Sequence, residues 1–290
     1  MDVCLLNDRG VIEVAGAEAT GFLQRLITNS VRDIPQGESR YSGLLSPQGK
    51  VLFDFFVVPM PEGPDAGYLF DCMRAQAGDL VKRLNLHKMR AKIAIADKSE
   101  QFGVAAAFGG EAPAGVEGVV YRDPRAPGMG LRIIAPREAL AHIEDAGEAA
   151  YEAHRIVQGV PKGGTDFTYG DAFVHDINLD VMNGVDFKKG CYVGQEVVAR
   201  VHFRKSARKR IVKIHFDGQA PEPGAQIMAG DTNIGQLGST AGAEGLATLR
   251  IDRLEEARAA GAVIKAGDAT VAVTVPPEFI AAAAGVEKRL

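Results

Sequence analysis

The stretch Lys-Lys-Gly-Cys-Tyr-Val-Gly-Gln-Glu, residues Lys188–Glu196, decides how the rest of this 290-residue sequence is interpreted. Apolar residues at helical spacing (Val197, Val198 and Val201) follow it, so the cysteine is predicted to lie in a loop just before a helix. Free N–H groups at a helix start and two neighbouring lysines favour a negative charge, and therefore the thiolate of Cys191. A buried structural cysteine is the alternative that the residues alone leave open.

Changes in the hydrophobic pattern divide the rest of the chain. Strands alternate with two helices over 46–147, which predicts an α+β part of ferredoxin-like type. From about residue 208 the pattern changes to period-2 strands and Gly-rich turns, which predicts a small β-barrel over 208–276. Residues 1–45 together with 148–207 are expected to form the remaining body, and 277–290 a tail.

The composition excludes several classes of protein. The net charge of −4 does not indicate a nucleic-acid-binding surface. The three cysteines are far apart and show no Cys/His ligand spacing, so neither a disulfide framework nor a self-contained metal site is predicted. The first residues lack the pattern of a signal peptide and no stretch approaches the roughly 20 apolar residues of a membrane span, so a cytoplasmic protein is expected.

A resemblance adds to this interpretation. The run from Lys189 through Glu196 to Arg200 is similar to the signature of the YgfZ family, which is related to the aminomethyltransferases (T-proteins) of the glycine cleavage system. Weaker similarities lie at 16–29, 155–161 and 178–180. The resemblance implies an α+β fold: a ring-like body of two α+β parts around a central cavity, followed by a C-terminal β-barrel. It also implies a bound tetrahydrofolate and a role in the assembly or repair of iron–sulfur clusters, with links to tRNA modification.

The resemblance also implies site residues. Cys191 and Lys189 match the characteristic cysteine and lysine of the family, and a reactive thiol beside the folate is expected. The candidate folate-binding residues are Asn29, Tyr151, Gln158, Asp176, Tyr192, Gln195, Glu196 and Arg200. Three of them replace or extend the family pattern: Gln158 and Asp176 stand where relatives carry Glu, and Tyr151 is the preferred aromatic face because tryptophan is absent. From the residues alone, Asn29 is also interpreted as the C-terminal cap of a helix.

The expected partners are a reduced folate and iron–sulfur client or assembly proteins, for a monomeric chain without conventional enzyme activity. One alternative is an aminomethyltransferase of the glycine cleavage type, although the Asn-rich motif of those enzymes is not found. The other is an RNA-binding module. The RNA-binding alternative depends on a predicted helix that runs to about Lys209 and is rich in basic residues. Arg200, Arg204 and Arg208 share one face of it if the helix persists.

Overall fold

In the computed structural model of this chain, the residues described are 2–61, 67–110 and 117–284, the last four without their side chains. They form two compact units. Unit 1 consists of three stretches: Met1–Ser46, Leu52–Tyr151 and Val181–Val193. Unit 2 consists of the other three: Pro47–Val51, Glu152–Asp180 and Gly194–Leu290. One boundary between the two units falls between Val193 and Gly194, inside the stretch Lys188–Glu196.

The strands and helices are joined by turns and loops, the longest of which covers residues 158–194. The strands are β1 (Asp2–Leu5), β2 (Arg9–Ala15), β3 (Arg40–Leu45), β4 (Val51–Pro59), β5 (Gly67–Met73), β6 (Ala94–Asp97), β7 (Phe102–Phe108), β8 (Val119–Arg122), β9 (Leu131–Pro136), β10 (Lys209–Asp217), β11 (Gln226–Ala229), β12 (Thr232–Ala241), β13 (Glu244–Arg250), β14 (Ile264–Ala266) and β15 (Ala269–Thr274). The α-helices are α1 (Ala19–Gln24), α2 (Ala77–Lys88), α3 (Arg137–Leu140), α4 (Glu148–Val157), α5 (Gln195–Arg204), α6 (Ile251–Ala259) and α7 (Pro277–Ala284); a 3-10 turn occupies Arg74–Gln76.

Unit 1 contains two sheets. One has the order β3-β4-β5-β2-β6, and the other the order β1-β7-β9-β8. Apolar side chains of α1 and α2, such as Phe22, Leu23 and Leu80, pack on the first sheet in one hydrophobic core. Val193, which lies within the stretch Lys188–Glu196, packs against that same core. The sheet and its helices therefore hold the Lys188–Glu196 stretch through an apolar contact.

The strands of 46–147 are shared between these two sheets, and each sheet also takes strands from the first 45 residues. The first strand, β1, pairs with β7 in a register that joins Asp2 to Phe108. Such distant pairings leave no trace in local periodicity. In the structure, the described residues of 52–147 accordingly belong to one compact unit with the N-terminal residues, while Pro47–Val51 belongs to unit 2.

In unit 2 the strands β10-β13-β12-β11-β14-β15 form a closed barrel, because β15 also pairs with β10. Along β10 the side chains alternate: Ile214 and Phe216 are buried, while Lys213 and His215 point to solvent. Such a period of two is typical of a strand that has one face on a core. Phe279 of α7 packs into the same core. The predicted fold class, α+β with a C-terminal β-barrel, is confirmed by this architecture.

The basic helix is shorter than predicted. Helix α5 ends at Arg204, where Lys205 takes a left-handed conformation (φ 50°) and its N–H bonds back to the helix. Arg208 lies beyond the helix end, so it cannot extend a face made by Arg200 and Arg204. The predicted tail contains α7, and its residues 285–290 lie outside the described part of the chain.

Candidate functional site

Cys191 lies in an extended loop of unit 1, four residues before the first residue of α5. Its side chain is exposed, whereas Cys4 and Cys72 are buried. Burial raises the pKa of the Cys72 thiol to about 12. Cys191 is therefore the cysteine that solution reagents and partner proteins can reach. Gly194, with φ 81°, takes the left-handed conformation that turns the chain into α5.

Lys189, two residues before the cysteine, is only 9% exposed. Its ammonium donates hydrogen bonds to the backbone oxygens of Ile27 (2.8 Å) and Asn29 (2.5 Å), and it lies 5.5 Å from the centre of the Tyr192 ring. Burial lowers the pKa of Lys189 to about 8, partly offset by the nearby Asp186 carboxylate. The sequence interpretation placed this charge beside the thiol. In the structure the ammonium instead anchors the signature loop to the segment after α1.

Two more residues strengthen this anchor. The Asp186 carboxylate accepts hydrogen bonds from the N–H groups of Lys188 (2.8 Å) and Lys189 (3.1 Å). The Thr28 hydroxyl, which is fully buried, donates to the backbone oxygen of Gly184 at 2.6 Å. Neither residue was identified as a site residue from the sequence. For Thr28, the available signal was the polar run Thr28-Asn29-Ser30 directly after the apolar Leu26 and Ile27.

Asn29 belongs to the same anchor and does not cap a helix. Helix α1 ends at Gln24 with Arg25 as its cap, so the predicted C-cap role is wrong. The Asn29 amide instead donates to the backbone oxygens of Tyr41 (2.9 Å) and Asn183 (2.6 Å), and its oxygen accepts from Ser30 N–H (2.8 Å). Its two donors are thus used within unit 1.

A cleft of about 520 Å³ in unit 1 opens beside this anchor. It is lined by Asn29, Glu38, Ser39, Arg40, Pro124, Asn183, Val185, Asp186, Phe187 and Lys188. The lining contains two carboxylates, two cations and an aromatic ring, and its volume lies in the range that suits a cofactor-sized ligand. Among the predicted folate residues, the structure brings Asn29 to this cleft.

The other aromatic candidates lie in the protein interior. Tyr151 is 5% exposed and its ring packs against Phe108. Its hydroxyl accepts hydrogen bonds from Arg125 (3.1 Å) and Arg132 (3.0 Å). Burial raises the pKa of the Tyr192 phenol, which keeps it neutral. Neither ring presents an open face for stacking in this structure.

The remaining predicted residues lie in unit 2. Asp176 is half-buried and lines a polar cleft of about 430 Å³, and burial raises the pKa of its carboxyl although Phe173 N–H donates to it. Gln158 is half-buried just after α4. Gln195 and Glu196 open α5, and the exposed Glu196 pairs with Arg200 at 2.6 Å.

Comparison with known proteins places this geometry in a family. Residues 208–279 match the model of the CAF17 C-terminal beta-barrel domain, and residues 3–127 match the GCVT N-terminal domain. The human mitochondrial iron–sulfur cluster assembly factor IBA57 is 31% identical over 278 residues, with 86% of this chain and 78% of that protein covered. The chain belongs to the IBA57-type family. Membership of the YgfZ family stays a prediction.

Another IBA57-type relative is the mitochondrial homologue from Mycosarcoma maydis, which is 34% identical to this chain. The chain spans 58% of the length of that relative, while 76% of the chain is covered. Among solved structures, the glycine cleavage aminomethyltransferase T from Bartonella henselae has a TM-score of 0.75 at 16% identity, covering 96% of this chain and 86% of that one. This likeness shows a shared fold. It shows no shared activity.

The comparisons correct one prediction. The expected cytoplasmic location is contradicted, because these IBA57-type relatives are named as mitochondrial proteins. None of the described helices is long and apolar enough to cross a bilayer.

Proposed function

We propose that this chain is an iron–sulfur cluster assembly factor that offers the Cys191 thiolate as a ligand to iron and binds a reduced folate in unit 1. The observation that carries the proposal is the position of Cys191. It is the exposed cysteine of the chain, and it sits on a loop held in place by Lys189 and Asp186. The names of the IBA57-type relatives agree with such a role.

The exposure of a single cysteine limits how the chain can bind an iron–sulfur cluster. Iron–sulfur clusters are commonly held by four cysteine thiolates, and Cys4 and Cys72 are buried and cannot join Cys191 without unfolding. Cys191 would therefore supply one ligand, as a thiolate that has lost its proton to solvent. Thiolates of a partner or of a small thiol would supply the others. Such shared ligation suits a factor that passes a cluster on.

An anaerobic experiment tests this ligation. The chain is mixed with a glutathione-ligated [2Fe–2S] cluster, desalted in glutathione buffer and examined by visible absorbance. We expect wild-type protein and Cys72→Ala to retain the cluster absorbance, and Cys191→Ala to lose it. Equal retention by Cys191→Ala would remove the thiol from the proposal.

The unit 1 cleft has the chemistry that a folate requires. A pterin presents N–H donors, which Glu38 or Asp186 can accept, and the glutamate part presents carboxylates, which suit Arg40 and Lys188. The residues fit the group, and the folate would bring a one-carbon carrier to the unit that also carries Cys191. The buried Asn29 and Tyr151 would act by holding the walls of unit 1.

Calorimetry with tetrahydrofolate tests this part separately. Arg40→Ala removes a cation from the cleft, and since a charge-assisted hydrogen bond contributes about 1.5–3 kcal/mol, we expect its affinity to fall roughly tenfold or more. Lys82→Ala is the matched control, because Lys82 is an exposed cation of unit 1 that pairs with Asp79 on α2. Equal affinities for wild type and Arg40→Ala, or no heat at all, would contradict folate binding in this cleft.

Any effect on tRNA modification is proposed to arise through iron–sulfur enzymes that modify tRNA. Direct RNA binding is less well supported, because Arg200 is paired with Glu196 and Arg208 lies outside α5. A tRNA affinity that falls steeply with salt concentration would favour the RNA-binding alternative.

A further inference from the structure

Three side chains of metal-ligand type converge in unit 2. His175 and Asp180 lie in a turn-rich segment, and His202 lies in the last turn of α5. One ligand atom from each of the three lies within 4.8 Å of the other two. His175 Nε2 is 3.8 Å from Asp180 Oδ2, and the two imidazole centres are 6.3 Å apart.

The interior of this cluster has unmet polar groups. Across the described part of the chain, three buried side-chain atoms have no hydrogen-bond partner: His175 Nε2, Asn178 Oδ1 and Arg210 Nε. All three belong to this one place. His175 is 3% exposed, and its unpartnered nitrogen faces the carboxylate and the second imidazole. Buried polar atoms nearly always have a partner in protein, water or an ion, so their concentration at one point requires an explanation.

Open space adjoins the His175 side chain, which lines a small cavity of about 190 Å³ beside α5.

Arg210 positions two of the three residues. Its guanidinium donates to both carboxylate oxygens of Asp180 (2.6 and 2.9 Å) and to the backbone oxygen of His175 (2.9 Å). It is 4% exposed and is the second residue of β10 in the barrel wall. Partners that orient ligand residues in this manner are a regular part of metal sites. The positive charge of Arg210 also offsets the negative charge of the Asp180 carboxylate.

Because Arg210 partly neutralises the Asp180 carboxylate, the cluster suits some metal ions better than others. Mg²⁺ and Ca²⁺ require several anionic or neutral oxygens, and this cluster supplies one carboxylate that already carries a guanidinium. Two imidazoles and one carboxylate suit borderline first-row ions such as Zn²⁺. Zinc bonds of about 2.0–2.1 Å place neighbouring ligand atoms roughly 3.4 Å apart. The His175–Asp180 pair, at 3.8 Å, must therefore close by about 0.4 Å, and a pair at the upper limit of 4.8 Å by about 1.4 Å. His202, at a helix end, can supply that movement by turning its side chain.

We propose that His175, Asp180 and His202 form a binding site for one divalent ion of the zinc class. Three protein ligands leave a fourth position for water or a group from a partner. The site belongs to unit 2, and it involves neither Cys191 nor the cleft of unit 1. It is distinct from the self-contained Cys/His sites that the sequence analysis excluded, because its residues show no regular spacing.

Titration of the full chain with Co²⁺ tests the proposal, since tetrahedral Co²⁺ absorbs visibly. We expect one ion per chain. His202→Asn should weaken binding at least roughly tenfold, because even partners outside the ligand set cost 10–100-fold when removed. His215→Asn is the matched control, since His215 is an exposed histidine of unit 2 paired with Glu244. Cys191→Ala controls for binding by the exposed thiol.

A second measurement needs no variant of the site. On addition of Zn²⁺ to wild-type protein, the ring-nitrogen NMR signals of two histidines, His175 and His202, should shift while that of His215 stays in place. Three results would overturn the proposal: no bound ion, binding by His202→Asn that equals wild type, or binding that is lost in Cys191→Ala.

Discussion

The buried ammonium of Lys189 makes the stability of the protein depend on pH in a defined direction. Its pKa is lowered from 10.5 to about 8 in the folded chain, mainly by burial. The charged groups that act on it are Asp186, which favours the ammonium, and Arg32, which disfavours it. Between the two pKa values the unfolded chain binds the proton and the folded chain does not. Stability must therefore rise with pH in that window.

The magnitude follows from the same two values. One pKa unit corresponds to about 1.4 kcal/mol, so the full difference is roughly 3 kcal/mol, reached above about pH 10.5. Between about pH 7 and about pH 9.5, part of the window, this single group should add about 2 kcal/mol to the free energy of unfolding. Lys189→Met lacks this titrating group, so its free energy of unfolding should not show this increase.

Urea denaturation followed by circular dichroism measures this effect, because the chain has no tryptophan for fluorescence. The quantity of interest is the difference in unfolding free energy between wild type and Lys189→Met at the two pH values. Lys188→Met is the matched control, since Lys188 is exposed beside the same loop. A difference that stays constant between the two pH values, or one that changes equally for Lys188→Met, would refute the burial of the Lys189 amine from which this pH dependence is derived.

Three further predictions concern the loop and the unit that carries it. Iodoacetamide at neutral pH should label Cys191 well before the two buried cysteines, and peptide mapping by mass spectrometry would reveal equal rates if the loop were closed. Gly194→Ala should cost about 1–2 kcal/mol in thermal or urea unfolding because of its φ of 81°, whereas Gly190→Ala, which meets no atom within 4 Å, should change little; equal costs would contradict this reasoning. Asp71→Asn should destabilise by about 3–5 kcal/mol, because it leaves two buried arginines without their carboxylate, while Asp79→Asn on the surface of α2 should cost less than about 1 kcal/mol; similar midpoints for the two would contradict the buried network.

The sequence predicts those features that depend on local pattern. Alternation in β10 and the Gly-rich turns that follow identify the barrel, because a period of two has one structural explanation. The position of Cys191 ahead of a helix is likewise local, since Gly194 and the spaced valines mark where α5 begins. Its exposure agrees with the glycines and lysines around it.

The sequence could not predict contacts between residues that lie far apart along the chain. The pairing of β1 with β7 joins residues about a hundred positions apart, and no periodicity encodes it. From the sequence, Lys189 was expected to act on the nearby Cys191 thiol. In the folded chain its ammonium instead donates hydrogen bonds to the backbone oxygens of Ile27 and Asn29. His175 and His202 are brought together by a turn and a helix end, so their separation in sequence gave no ligand pattern.

The central claim, that Cys191 acts in iron–sulfur cluster assembly, is tested most directly in cells that lack this gene. The activity of iron–sulfur enzymes is measured after complementation with wild type, Cys191→Ala or Cys72→Ala, at equal protein levels. Wild type and Cys72→Ala should restore the activity, and Cys191→Ala should leave it at the level of the deletion. Full restoration by Cys191→Ala would contradict the claim.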